Sequence, residues 1–192
     1  GPGEERLAAM GQAADMLRRA LNVRRVRIAT VDEDWREFRF PIWRTGDRVE
    51  DGVGRPLESG LLEEVWRSGR TWFFAERAAE EAEAAGYPID TRPRSFAAVP
   101  LRTRGTVSGV ICIEDDQQDA AFEPEDVRIL EIVAQQLGVT LENLDSLEEE
   151  RRQRITAEWL RQMARTATDP AGCTLQVFEC AAEAAFHGIG GL

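Results

Sequence analysis

Lysine is missing from this chain, and every one of its 24 basic residues is arginine. That absence removes the phosphate-loop lysine, the Schiff base to pyridoxal phosphate and the lysine that kinases set against nucleotide phosphates. Histidine is nearly as scarce. His187 is the only one, with no cysteine or second histidine beside it, so it reads as a surface residue, and the residues before it offer no Ser-His-Asp or Cys-His arrangement. The three cysteines, Cys112, Cys173 and Cys180, are odd in number and unevenly spaced, which excludes a secreted disulfide scaffold and leaves reduced thiols. No apolar run approaches the ~18–20 residues that cross a bilayer, and no signal segment opens the chain. A cytoplasmic protein with no membrane contact is the expectation. Acidic residues outnumber basic ones 35 to 24, a net charge of −11, and such a surface repels phosphates, so no nucleic-acid partner is expected.

What the chain does have is a core-forming composition, 43% hydrophobic and 31% charged over 192 residues, which suits one ordinary domain with an appendage. Gly1-Pro2-Gly3 reads as a cleavage scar. From Glu4 to Leu21, residues Leu7, Met10, Ala14, Leu17 and Leu21 share one helical face, and Asn22 ends the helix. Two alternating runs follow, around Ile28 and from Phe38 to Ile42, joined by a turn at Asp32-Glu33-Asp34. Pro41 costs the second strand a backbone donor, which predicts a sheet edge or a bulge there. Residues 45–54 read as loop. Ser59 and Gly69 bracket a short helix over Leu61, Leu62, Val65 and Trp66. Trp72-Phe73-Phe74 is a brief strand, the Ala- and Glu-rich 76–85 an exposed helix, and Ser95–Leu101 with Val107–Glu114 the clearest hairpin.

After an acidic loop, Pro124 opens a long helix, with Glu123, Glu125 and Asp126 at the positive end of its dipole. Leu130, Val133, Leu137, Leu144 and Leu147 fall at heptad a and d positions; the seam turns polar across 148–154 and resumes at Ile155, Trp159 and Met163. Charge follows the same axis: residues 123–150 carry nine acids and one arginine, and residues 151–165 five arginines and one acid. Pro170 is expected to stop the helix. The element order predicts an α+β domain built on an antiparallel sheet.

Several segments in this order, Gly60–Arg70, Ser95–Leu101, Gly109–Glu114, Phe122–Asp126 and Leu141-Glu142-Asn143, resemble the GAF domain, a sensory module of bacterial and eukaryotic signalling proteins related to the PAS fold. The resemblance implies a six-stranded antiparallel sheet with helices on its faces, a small-molecule pocket between the sheet and the elements covering one face, and homodimerisation through the terminal helices. It divides the chain into a sensory domain at 4–147, a coiled-coil linker helix at 148–167 and the start of a following module at 168–192, with an effector domain outside this fragment. Known ligand types of the family fit poorly. Cyclic-nucleotide members use a lysine, and bilin and haem members use a histidine within the domain, so no cofactor is expected.

Trp43, Trp66 and Trp72 fall where the family sets its pocket wall, and with Phe96 they are candidates to line an apolar ligand cavity; core packing is the alternative. Arg94 and Ser95 are candidates to hold a carboxylate or phosphate, with Glu114 supplying the opposite charge; ordinary loop solvation is the alternative for all three. Cys112, between Ile111 and Ile113, reads as a small core residue. Paired acids such as Asp115-Asp116 lack the spacing of a calcium loop, so no metal and no catalytic residue is expected. Three functions stand: a noncatalytic sensor that relays ligand binding along Leu137, Leu144, Leu147, Ile155, Trp159 and Met163; a structural dimeriser with a filled pocket; and a thiol-based enzyme of the methionine-sulfoxide-reducing kind.

Overall fold

Asn22 ends the first helix, α1 (Pro2–Leu21), in the left-handed region with φ 50° and ψ 38°, a conformation that asparagine tolerates better than most residues. The computed structural model describes residues 1–167 apart from 33, 35, 51 and 53. Trp35, the stop at Pro170, Cys173, Cys180, His187 and the proposed module at 168–192 lie outside the described residues. The chain divides into two units, 1–145 and 146–192.

Within the first unit, α1 leads into β1 (Arg25–Asp32) and β2 (Glu37–Thr45), then β3 (Arg48–Val49) and β4 (Arg55–Pro56). Helix α2 (Leu61–Ser68), β5 (Trp72–Phe74) and α3 (Ala78–Ala84) precede the long hairpin of β6 (Ser95–Thr103) and β7 (Thr106–Asp115). The sheet order is β3-β2-β1-β7-β6-β5, with β4 beside β2, and every pairing is antiparallel. The sheet has seven strands rather than six. Segment 45–54, read as loop, contributes β3, because Gly46 at φ 57° turns the chain back and pairs Arg44 with Val49. Ser59 does not cap α2; Gly60 occupies that position without a side-chain cap, while Gly69 closes the other end with its N–H on the Val65 carbonyl.

Strand alternation divides the core in two. Val26, Ile28, Val99, Leu101, Ile111 and Ile113 face α1 and the final helix α4 (Pro124–Ala167), meeting Leu17, Leu130 and Leu137. Ala29, Phe38, Phe40, Phe96, Ala98 and Cys112 face the other way, where α2, α3 and the 86–94 loop cover them with Leu61, Val65, Ala82 and Ile89. Both faces are thus buried, which explains why β6 and β7 read as almost continuous apolar runs.

Pro124 opens α4 as expected, and the Glu123 N–H donates to Asp126 at 2.8 Å, half of a capping box. Leu130 and Leu137 are buried and Leu144 is half-buried. In the second unit the helix is well exposed: Leu147 at 54%, Ile155 at 66% and Trp159 at 38% accessibility, with Met163 half-buried. Arg152 pairs with Glu148 one turn away at 2.6 Å.

Candidate functional site

Proline 41 shapes the polar centre of the covered face. The register of β1 against β2 pairs Ile28 with Ile42 but Thr30 with Arg39, so three steps of β2 oppose two of β1. This is a bulge at Phe40-Pro41, where a residue without an N–H costs no ladder bond. The extra residue resets the alternation: Phe38, Phe40 and Trp43 all belong to the covered face, and Ile42 to the other. Trp43 stands directly opposite Arg27.

Arg27 is fully buried, and its guanidinium lies 5.1 Å from the Trp43 ring and 5.5 Å from the Phe40 ring. Both distances suit cation–π contact. Its donors are divided between two carboxylates. Nε donates to Glu114 at 2.6 Å and Nη2 also pairs with Glu114, while Nη1 and Nη2 fork onto the two oxygens of Asp90 at 3.1 and 3.2 Å. Glu114, equally buried, accepts further from Arg25 at 3.0 Å and from the Thr91 hydroxyl at 2.6 Å. Burial works against a charged Arg27, but Glu114 and then Asp90 keep it protonated, above its ordinary range. Burial also opposes ionisation of Asp90, and the Arg27 guanidinium outweighs it, holding that carboxyl below its usual range. The cluster ties β1 and β7 to the loop that covers them.

Of the residues singled out in the sequence, Trp43, Phe96, Cys112 and Glu114 meet on this face, and Trp66 and Trp72 pack against it half-buried. The Trp66 indole donates to the Val107 carbonyl at 3.0 Å. The Trp72 ring stacks on Phe74 and meets Tyr87 edge-on. Among the described residues no acceptor reaches the buried indole N–H of Trp43 or of Trp72, and one oxygen of the fully buried Glu63 is likewise unpartnered. Arg94 and Ser95 are not brought here. Arg94 is exposed and pairs with Asp119, and the Ser95 hydroxyl donates to the Ala75 carbonyl while accepting from the Ala121 N–H at 3.0 Å, pinning the 115–121 loop. The guanidinium at the site is that of Arg27, which sequence reasoning missed: an arginine between Val26 and Ile28 reads as the solvent side of an alternating strand, and only coverage of both faces buries it.

Cys112 offers little nucleophilicity. Burial pushes its thiol up to about 12, outweighing the pull of Arg27, and its Sγ lies 3.7 Å from a Glu114 oxygen. Among the described residues no group of three or more His, Cys, Asp or Glu side chains could hold a metal ion, and no helix is long and apolar enough to cross a membrane.

This arrangement has relatives of known structure. A methyl-accepting chemotaxis protein superposes with a TM-score of 0.59 at 19% identity, over 73% of this chain and 89% of that one. The second GAF domain of DevS from Mycobacterium smegmatis gives 0.62 at 14% identity, over 78% and 99%. Free methionine-R-sulfoxide reductase from Neisseria meningitidis, in complex with its substrate, gives 0.60 at 21%, over 74% and 81%. Identities this low establish a shared fold alone. No curated protein sequence matches the chain. The family model for the GAF domain matches residues 5–141, and with an open antiparallel sheet covered on both faces and ending in a long helix, the chain belongs to the GAF domain family.

Proposed function

We propose that residues 4–147 form a noncatalytic sensory domain that binds a small molecule on the covered face, and that 148–167 is the linker through which a homodimer relays binding to an effector outside this chain. A cytoplasmic setting suits this role. The observation that carries the reading is the Arg27–Glu114–Asp90 cluster beneath aromatic walls. Desolvating three charges for packing alone is a poor route to stability, since apolar residues of similar volume do as well or better. Buried N–H groups without acceptors on Trp43, whose ring lies against the Arg27 guanidinium, and on Trp72, farther along the same face, suit a face that receives a polar solute.

The relay half rests on Leu147 and Ile155, more than half exposed on the second unit, and on Trp159 beside them on the same stripe, which a second copy of the helix would cover. A thiol-enzyme function is disfavoured by the buried, high-pKa Cys112.

Screening a metabolite library by thermal shift and tryptophan fluorescence tests the sensory reading, because a true ligand raises the melting temperature as its concentration exceeds its dissociation constant. A library that yields no concentration-dependent shift would instead leave a structural dimeriser.

A further inference from the structure

We propose that Asp90 is a built-in competitor for the ligand, and that the ligand is a small monocarboxylic acid with an apolar body whose carboxylate takes the place of Asp90 on Arg27. The proposal rests on reading the covered face as a ligand site, and it names that ligand's chemical class.

The two carboxylates on Arg27 are not equivalent. Glu114 lies on a central strand, is fully buried, and has Arg25 and Thr91 as further partners. Asp90 lies on the loop between α3 and β6, its side chain is 31% exposed, and it accepts two bonds from Arg27. That loop is fastened on either side of Asp90, by the Leu61 N–H on the Pro88 carbonyl and by the Ala79 and Ala78 N–H groups on the Pro93 and Arg94 carbonyls. The intervening segment is held by Arg27, which forks onto Asp90, by the Thr91 hydroxyl on Glu114 and by buried Ile89.

Charge accounting gives the ligand its sign. Arg24, Arg25 and Arg27 meet Asp116, Glu114 and Asp90, three charges of each sign, so withdrawing Asp90 leaves one positive charge that needs an anion. Geometry gives the shape: the two Nη groups present parallel donors, the fork that a planar carboxylate accepts best. The surroundings give the body. Phe40 and Trp43 lie together against one side of the guanidinium, and the buried, unpartnered Trp43 N–H offers an acceptor on the incoming molecule a partner. A ligand of this kind frees the Asp90 side chain as it binds, so that the covering loop loses its fork onto Arg27.

The test uses the full chain, wild type and Asp90→Ala, titrated with sodium benzoate by calorimetry and thermal shift, with benzamide as the neutral isostere and sodium chloride at matched ionic strength. Removing an internal competitor lifts the penalty it imposes, so benzoate is expected to bind Asp90→Ala at least about tenfold more tightly than wild type. Benzamide should not distinguish the two. Asp90→Asn, which keeps the shape of the side chain, provides the same comparison if the alanine protein folds poorly. Equal affinity of both proteins for benzoate, a preference of benzamide for Asp90→Ala as large as that of benzoate, or no benzoate binding to either protein overturns the proposal. A library compound that binds wild type and Asp90→Ala alike would sink the competitor and leave the sensory reading intact, so the two failures are distinguishable.

Discussion

The carbonyl oxygen of Arg102 occupies the space into which a Cβ on Gly138 would project. Strand β6 and helix α4 meet there backbone to backbone. Helix propensity alone favours Gly138→Ala by about 1 kcal/mol, whereas forcing apart a packed strand and helix costs roughly 1–3 kcal/mol. The expected result is net destabilisation, read as a lower urea midpoint with an unchanged slope. A gain in stability would mean that the contact yields readily.

Arg27→Met should be among the most damaging single changes in the domain. It strands the Glu114 carboxylate in the core, and breaking one side of a buried pair costs about 3–5 kcal/mol. Arg27→Met with Glu114→Met removes both charges and should recover much of that loss, so the double-mutant cycle is expected to show strong coupling. Additive losses in urea denaturation would contradict the pairing.

Asp90 should show itself in acid. Its carboxyl is held below the ordinary range by Arg27. Its contribution is therefore fully present above the unfolded value of about 3.9 and disappears as the pH falls through the lower folded value. Between about pH 5 and pH 3, wild type should lose stability more steeply than Asp90→Asn, judged from urea midpoints across that range. Asp119, also lowered by its bond to Arg94, is common to both proteins and drops out of the difference. Parallel curves would sever the link between Asp90 and Arg27.

Ala120 holds φ at 52° on an exposed loop, while its N–H reaches the Ala75 carbonyl at 2.7 Å. The left-handed region costs a Cβ-bearing residue about 1–2 kcal/mol, and glycine gives back part of this gain through a freer unfolded chain. Ala120→Gly should raise stability by a few tenths to about 1 kcal/mol, seen as a higher melting temperature.

Ile155→Glu and Trp159→Glu keep good helix formers on α4 and place charge where a partner helix is proposed to sit. Sedimentation at micromolar concentration should show wild type as a dimer and the double variant shifted to monomer, with unchanged helical circular dichroism. From Leu147 the apolar positions recur at Ile155, Trp159 and Met163, in multiples of four residues rather than in heptads. Such spacing locally unwinds a left-handed supercoil. A monomeric wild type would remove the relay.

The elements were legible wherever one period dominated. The α1 face, the β6–β7 hairpin and the Pro124 start of α4 all follow from spacing and capping chemistry. Two-residue strands such as β3 and β4 were not, because so short a pairing carries no periodicity and depends on the turn at Gly46. Pro41 announced an irregularity and received a bulge. Cys112 and Glu114 share a face by alternation within β7, whereas Trp43 is named from the family resemblance, since the bulge at Phe40-Pro41 overrides the alternation of β2. Arg27 and Asp90 escaped notice for a physical reason: their pairing joins positions 63 residues apart, and nothing within either segment encodes the other. Arg94 lies apart from the Arg27 cluster because a residue at a strand mouth can turn outward, where it pairs with Asp119.

The extra residue at Phe40-Pro41 carries a further implication for variation in this chain. It lets Phe40 and Trp43, separated by two residues, lie over the same guanidinium. Were β2 to pair regularly at its present length, Trp43 would turn to the opposite side and Ile42 would come round in its stead, whereas loss of the extra residue would keep both rings together by simple alternation. Among related chains, the present spacing of the two rings should therefore go with an irregular strand, and a spacing shorter by one residue with a regular one.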